Sequence, residues 1–207
     1  MPTRCSAEYH SLKRESDRLV RIYLDPFTEY DGRRTSTHRT SVAAFRVLVC
    51  ATIEYYLEVR CEELALRSFT AWHSSSPRVA SLSVIGLLAF SGREHRDPDE
   101  SVSAASSQLI TCMEKAKNVY VGFVKTKNHG IREKNLSQLL LPLGIEVSAL
   151  DPLWIIAMDQ FGKDRGDVAH KPSSIYAALT LDVAVIKTNL KFILSGLRDL
   201  DRHLSTL

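Results

Sequence analysis

Apolar positions along the chain recur at spacings of three and four, and no strict two-residue alternation persists. That period marks helices with one buried face. The clearest stretch is the last, where Leu179, Val183, Ile186, Leu190, Ile193, Leu197, Leu200 and Leu204 alternate in steps of four and three. Such a heptad seam favours long helices packed nearly parallel or antiparallel. It reads as the core of an intramolecular bundle, or alternatively as part of a dimer interface.

Glycine, proline and small polar residues punctuate the periodic runs and set the expected elements. A first helix is expected from Ser6 to about Glu29, followed by a polar, basic loop from Asp31 to Arg39. Thr40 or Ser41 is placed to cap a long helix that reaches about His73 and breaks over Ser74 to Pro77. A short apolar helix is expected over 78–90, a loop over 91–100, and a helix from about Val102 to Lys125. Asn128, His129 and Gly130 are turn residues, and a short helix over Leu136 to Leu141 stops near Pro142 and Gly144. Asp151 is placed to cap the next helix, and Ser173 or Ser174 the last. The expected fold class is all-α, an up-and-down helical bundle with additional short helices. A single domain over 1–207 is expected, with its core at about 40–195 and the N-terminal helix, about 6–29, packed on it.

Composition narrows the function classes. With 207 residues, 44% of them apolar, the chain can bury a core without covalent staples. A net charge of +3 and a pI near 8.7 are compatible with an RNA partner without demanding one. Cys5, Cys50, Cys61 and Cys112 form no short-spaced pair, and no Cys/His cluster has zinc-ligand spacing. No Gly-rich phosphate loop and no carboxylate pair at metal spacing is present, so neither metal nor cofactor is expected. Apolar runs end after about a dozen residues, short of the roughly 20 that a membrane span needs, and Arg46 interrupts the run near Val42–Ile53. The first residues lack the apolar core of a signal peptide, so a reducing cytoplasm is the expected location and no membrane partner is expected.

The chemistry concentrates at Arg165-Gly166-Asp167-Val168-Ala169-His170, which follows the apolar run from Leu153 to Met158. A permanent cation beside an imidazole that titrates near neutral pH is the minimum equipment for cleaving RNA without a metal. Spacing alone does not single out this pair, because Arg33–His38 and Arg198–His203 share it. Context does. Pro172 disfavours helix at Lys171, which puts His170 in a last helical turn, where the dipole favours its protonated form. Asp167, three residues earlier, faces the same side and can orient the ring. Arg165 lies five helical steps away, roughly 140° round the helix, so one straight helix does not aim both side chains at one phosphate. Either the helix is irregular at Gly162 or Gly166, or two copies meet. The small residues Gly162, Gly166 and Ala169 favour the second route.

These residues resemble the HEPN superfamily, helical bundles of which many are ribonucleases carrying an Arg–x4–6–His motif. Arg165 to Lys171 is similar to the RiboL-PSP-HEPN subgroup, in which Gly often follows the Arg. Ser41 to Leu57, with Glu54 near its end, is similar to the early helix of these families. Asn128 to Leu136, followed by Leu141 to Ile145, is similar to the segment before their motif helix. The order matches across about residues 40 to 195. The resemblance implies a homodimer whose two Arg–His pairs line one cleft, and metal-independent endoribonuclease activity on single-stranded RNA. His170 is then general base on the 2′-OH or general acid to the leaving 5′-oxygen, Arg165 stabilises the phosphorane, and Asp167 assists. Glu54 and Gly166 are supporting positions. Lys125, Lys127, His129, Arg132, Lys163 and Lys171 are the RNA-binding candidates, within a basic stretch that otherwise reads as a solvated face. Toxin–antitoxin, phage-defence or stress-response biology, with an antitoxin or regulatory protein as partner, comes from the resemblance alone. Many HEPN ribonucleases have Asn, Asp or His at the position of Gly166. That departure supports the alternative of a catalytically inactive HEPN module that binds a partner protein or nucleotide.

Overall fold

A computed structural model describes residues 4–28, 35–75, 81–90, 102–170 and 182–207; the side chains of 90, 102–108, 169 and 170 lie outside that description. The chain is all-α, with no strand among the described residues. In order come α1 (Ala7–Tyr23), a 3₁₀ turn at Asp25–Phe27, α2 (Ser36–Ser74), α3 (Leu82–Phe90), α4 (Val102–Thr126) and α5 (Glu133–Leu140). Two further 3₁₀ turns, Leu141–Leu143 and Val147–Ala149, lead to α6 (Pro152–His170), and α7 (Val183–Leu204) is last. The helices gather into two compact units. One falls within Met1–Leu57, Gly130–Lys134 and Leu150–Thr206, the other within Glu58–His129 and Asn135–Ala149.

In the first unit, the seam of α7 is core. Val183, Ile186, Leu190, Ile193, Leu197, Leu200 and Leu204 are all buried, together with Leu12 and Leu19 of α1, Phe45, Val49 and Ile53 of α2, and Trp154 and Met158 of α6. The seam is therefore intramolecular over these positions, while Leu179 lies outside the described residues. Asp182, rather than Ser173 or Ser174, caps α7 by accepting from the amides of Ala184 (2.8 Å) and Val185 (3.2 Å). Both serines lie outside the described residues. At the start of α1, Ser6 accepts from the Tyr9 amide, as an N-cap should.

Helix α2 starts earlier than Thr40 or Ser41. Thr35 accepts from the His38 amide at 3.2 Å and takes the capping role, whereas the Ser41 hydroxyl donates to the carbonyl of Tyr23 at 2.9 Å. The buried stripe of α2 reaches back to His38, whose ring stacks on Phe27 with centroids 4.8 Å apart. Positions 36–39, read as loop from their polarity, are thus helical because His38 contributes a stacking face to the core. Glu29 and Asp31–Arg34 lie outside the described residues, and α1 itself stops at Tyr23.

Asp201 ties three helices of this unit together. It is fully buried and accepts from the Ser6 amide and hydroxyl (2.7 Å each) and from the Tyr56 hydroxyl (3.0 Å). Losing the acceptor of these three donors, of which the Tyr56 hydroxyl is buried and the two on Ser6 are part-buried, costs up to about 1–3 kcal/mol for a fully stranded group and less for the others. Asp201→Ala is expected to lower unfolding free energy by roughly 2–4 kcal/mol in urea titrations. A loss below about 0.5 kcal/mol would mean that these bonds contribute nothing net.

In the second unit, Met113, Ala116, Tyr120 and Val124 of α4 are buried, as are Cys61, Leu64 and Trp72 of α2, Val84 and Leu87 of α3, and Leu136, Leu139 and Leu140 of α5. The Tyr120 hydroxyl donates to the Leu139 carbonyl at 2.6 Å. Gly144 ends the 3₁₀ turn after α5 at φ 80°, a left-handed conformation natural to glycine. The expected short helix at Leu136–Leu141 begins slightly earlier, at Glu133.

Candidate functional site on the motif helix

Helix α6 opens as its sequence requires. Asp151 accepts from the Leu153 amide at 2.9 Å, and Pro152 occupies the first turn, where its missing N–H costs nothing. The inward face is Trp154, Ile155, Met158 and Phe161. The opposite face carries Leu153 (67% exposed), Ile156 (64%), Gln160 and Lys163. Spaced by three, four and three, this stripe continues in register to Asp167 and His170. Asp167 is half-buried and engaged; the His170 side chain and all of Lys171 lie outside the description.

The helix is α-helical from Pro152 to His170 without a break at Gly162 or Gly166. The irregular-helix route is therefore closed, and positions 165 and 170 lie about 140° apart round the helix axis. The small residues have different surroundings. A side chain on Gly162 would meet Arg132 Cγ at 2.9 Å and Ile131 Cγ1 at 3.2 Å, so its smallness already serves an approach by the same chain. Gly166 has nothing within 4 Å of a hypothetical Cβ. Gly166→Ala is expected to raise stability by about 0.5–1 kcal/mol through helix propensity, measured by thermal or urea unfolding. Destabilisation would contradict the open space.

Arg165 is half-buried. Its Nε is enclosed without a hydrogen-bond partner, and the side chain makes no hydrogen bond or ion pair to a described residue. Its charge reaches the thiol of Cys50, on α2, which lies against the Phe161 carbonyl with Sγ 3.8 Å from the oxygen. Burial pushes the Cys50 thiol up to about 12, against the opposing pull of Arg165 and then Arg46. A thiol so poorly ionised is not a nucleophile at neutral pH. Glu54, one turn beyond Cys50, is half-buried and its charge also reaches that thiol. The structure thus brings Glu54 and Arg165 to the same neighbourhood but forms no hydrogen bond or ion pair between them.

Two residues outside the sequence-based site complete this neighbourhood. Arg46, one turn before Cys50 and only 3% exposed at its side chain, forms an ion pair with Asp164 of α6. Gln160 also donates to Asp164, at 2.6 Å. The signal for Arg46 was its position as the one charge inside the apolar run 42–53. A charge there must find a partner, but the sequence does not say which acid supplies it.

The RNA-binding candidates are scattered. In the first unit, Arg132 makes a two-pronged contact with Asp159 (3.0 and 3.3 Å), and its guanidinium holds the Asp159 carboxyl below the usual range. Lys163 is exposed and its charge acts on the same carboxylate. In the second unit, Lys125 pairs with Glu62 at 2.7 Å, and Lys127 and His129 are exposed. Of the two rival motifs, His38 is core while Arg33 lies outside the described residues; Arg198 sits by Asp199 and Ser195 on α7. Among the described residues no group of three His, Cys, Asp or Glu could hold a metal, and no helix is long and apolar enough to cross a membrane. No family model, curated protein or solved structure matches the chain.

Proposed function

We propose that the chain is a HEPN-type, metal-independent endoribonuclease that cleaves single-stranded RNA as a homodimer. The observation that carries the reading is Arg165, a half-buried guanidinium with an enclosed, unpartnered Nε, set five residues before His170 on one regular helix. Cations placed this way have donors left for a phosphate. His170 takes the 2′-OH proton, or gives one to the leaving 5′-oxygen, while Arg165 stabilises the charge that builds on phosphorus. The P–O5′ bond breaks as the O2′–P bond forms, leaving a 2′,3′-cyclic phosphate and a 5′-hydroxyl. Asp167, one turn before His170, holds the imidazole. Lys125, Lys127, His129, Arg132, Lys163 and Lys171 contact the RNA backbone.

The regular course of α6 supports the dimer. Positions 165 and 170 lie about 140° apart on one regular helix, and on this reading a second copy supplies the other half of each site. Exposed Leu153 and Ile156, in register with His170, give that copy an apolar surface to cover. A cytoplasmic setting in toxin–antitoxin, phage-defence or stress-response biology, with a protein that restrains the activity, accompanies the reading. A second reading, a silent module binding a partner protein or nucleotide, is favoured by Gly166, which offers no side chain to the site. The test is incubation of purified protein with single-stranded RNA in EDTA, alongside Arg165→Ala and His170→Ala. Cleavage lost in both variants is expected; absence of wild-type cleavage sinks the assignment.

A further inference from the structure

Arg165 makes no hydrogen bond or ion pair to a described residue, so its place is set by the helix that carries it. What fixes the register of α6 therefore fixes the guanidinium. Near its N-terminal end, α6 is anchored by the Trp154 indole, which donates to the Ile193 carbonyl at 3.0 Å. That anchor lies eleven residues, or roughly 16 Å, before Arg165. Immediately before Arg165, the polar tie next to the motif is Asp164, whose side chain is 18% exposed against 3% for its partner Arg46. It is gripped by the Arg46 guanidinium from α2 and by Gln160 from its own helix. The Arg132–Asp159 contact is more exposed and correspondingly weaker.

A buried ion pair is a poor way to gain stability, because desolvating both charges commonly offsets their attraction. What it supplies instead is geometry, since the two charges satisfy each other in one register and strand each other in the rest. The charges of Arg46 and Arg165 both act on the Cys50 thiol of α2. A slide of α6 along α2 would therefore break the pair and displace Arg165 in the same movement.

We infer that Arg46 is a positioning residue: through Asp164 it sets the register of α6 on α2, and so the point from which Arg165 meets a phosphate. The inference rests on the ribonuclease reading of Arg165. A shape-matched apolar pair separates positioning from scaffolding, because it can restore packing without restoring a unique register. In Arg46→Met/Asp164→Leu, unfolding midpoints in urea are expected to equal or exceed those of the wild type. Its kcat on a fluorescent single-stranded RNA in EDTA is expected to fall roughly 100-fold, with KM changed less than about threefold. Arg46→Lys keeps the charge but not the planar fork, and is expected to retain stability and lose about tenfold in kcat. If the apolar pair does not fold, Arg46→Lys carries the test.

A kcat within about twofold of wild type in the folded variants, while Arg165→Ala is crippled, overturns the positioning role and leaves the ribonuclease reading standing. Equal losses of stability and activity in both variants would overturn it too, because a merely structural tie behaves that way. Wild-type protein that does not cleave, or Arg165→Ala that cleaves normally, overturns both the inference and the reading beneath it.

Discussion

Arg165→Ala and His170→Ala are each expected to lower RNA cleavage by about 10²- to 10⁴-fold, with the wild-type rate unchanged by EDTA. On the ribonuclease reading, the two losses have different origins. Without His170 no positioned group moves the proton of the 2′-OH or of the 5′-leaving oxygen. Without Arg165 the charge on the pentacoordinate phosphorus is left to water. An RNA whose 2′-hydroxyls are replaced by hydrogen is expected to survive intact, because the nucleophile is gone. The regular helix adds a sharper expectation. If each site takes Arg165 from one copy and His170 from the other, mixing the two dead variants restores some activity. Random exchange gives half heterodimers with one intact site in two, hence about a quarter of the wild-type sites. Sites contained within one copy would give no recovery. Wild-type cleavage that disappears in EDTA, or variants that cleave as well as wild type, would defeat the proposal outright.

The helices were legible wherever one face repeats its apolar residues for several turns. The seam of α7 is the best case, because every described member from Val183 to Leu204 is buried. Asp151 as a cap for α6 was equally readable, since an Asp–Pro pair before an apolar run admits few other structures. Helix starts were read less well where several hydroxyl residues compete. Thr35, Ser36, Thr40 and Ser41 all can cap, and the choice of Thr35 depends on Phe27 lying where the His38 ring can stack on it. That is a tertiary fact, invisible to local pattern. At the site, the chain position of Arg165 and the 140° offset came from helix arithmetic alone. The partner of Arg46 did not, because it sits 118 residues away in sequence. Gly162 and Gly166 looked alike as small residues four apart, yet one is covered by Ile131 and Arg132 and the other is open. Composition reports size, whereas what fills the space is decided by the segment that returns to cover it.

Glycine at 196 is the position in the first unit where one added methyl group is expected to do most harm. A Cβ there would run into the Trp154 indole at Cγ, Cδ1 and Nε1. The ring cannot swing aside cheaply. It is buried, and its N–H is committed to the Ile193 carbonyl at 3.0 Å, so α6 and α7 must separate or the bond must break. Overpacking costs about 1–3 kcal/mol, and a stranded indole N–H about as much again. Alanine recovers about 1 kcal/mol of that through helix propensity. Gly196→Ala is thus expected to destabilise by about 2–4 kcal/mol in urea unfolding, opposite in sign to the same change at Gly166. Trimming the opposing ring offers the control. Trp154→Leu alone opens a cavity, but combined with Gly196→Ala its cost should be less than the sum of the two, by about 1 kcal/mol or more. Simple additivity, or a Gly196→Ala protein as stable as wild type, would mean that α6 and α7 do not meet at this contact. Because the same contact anchors the motif helix, the ribonuclease reading expects the cleavage rate of Gly196→Ala to fall even in the fraction that remains folded. That second readout ties packing at Trp154 to the placement of Arg165.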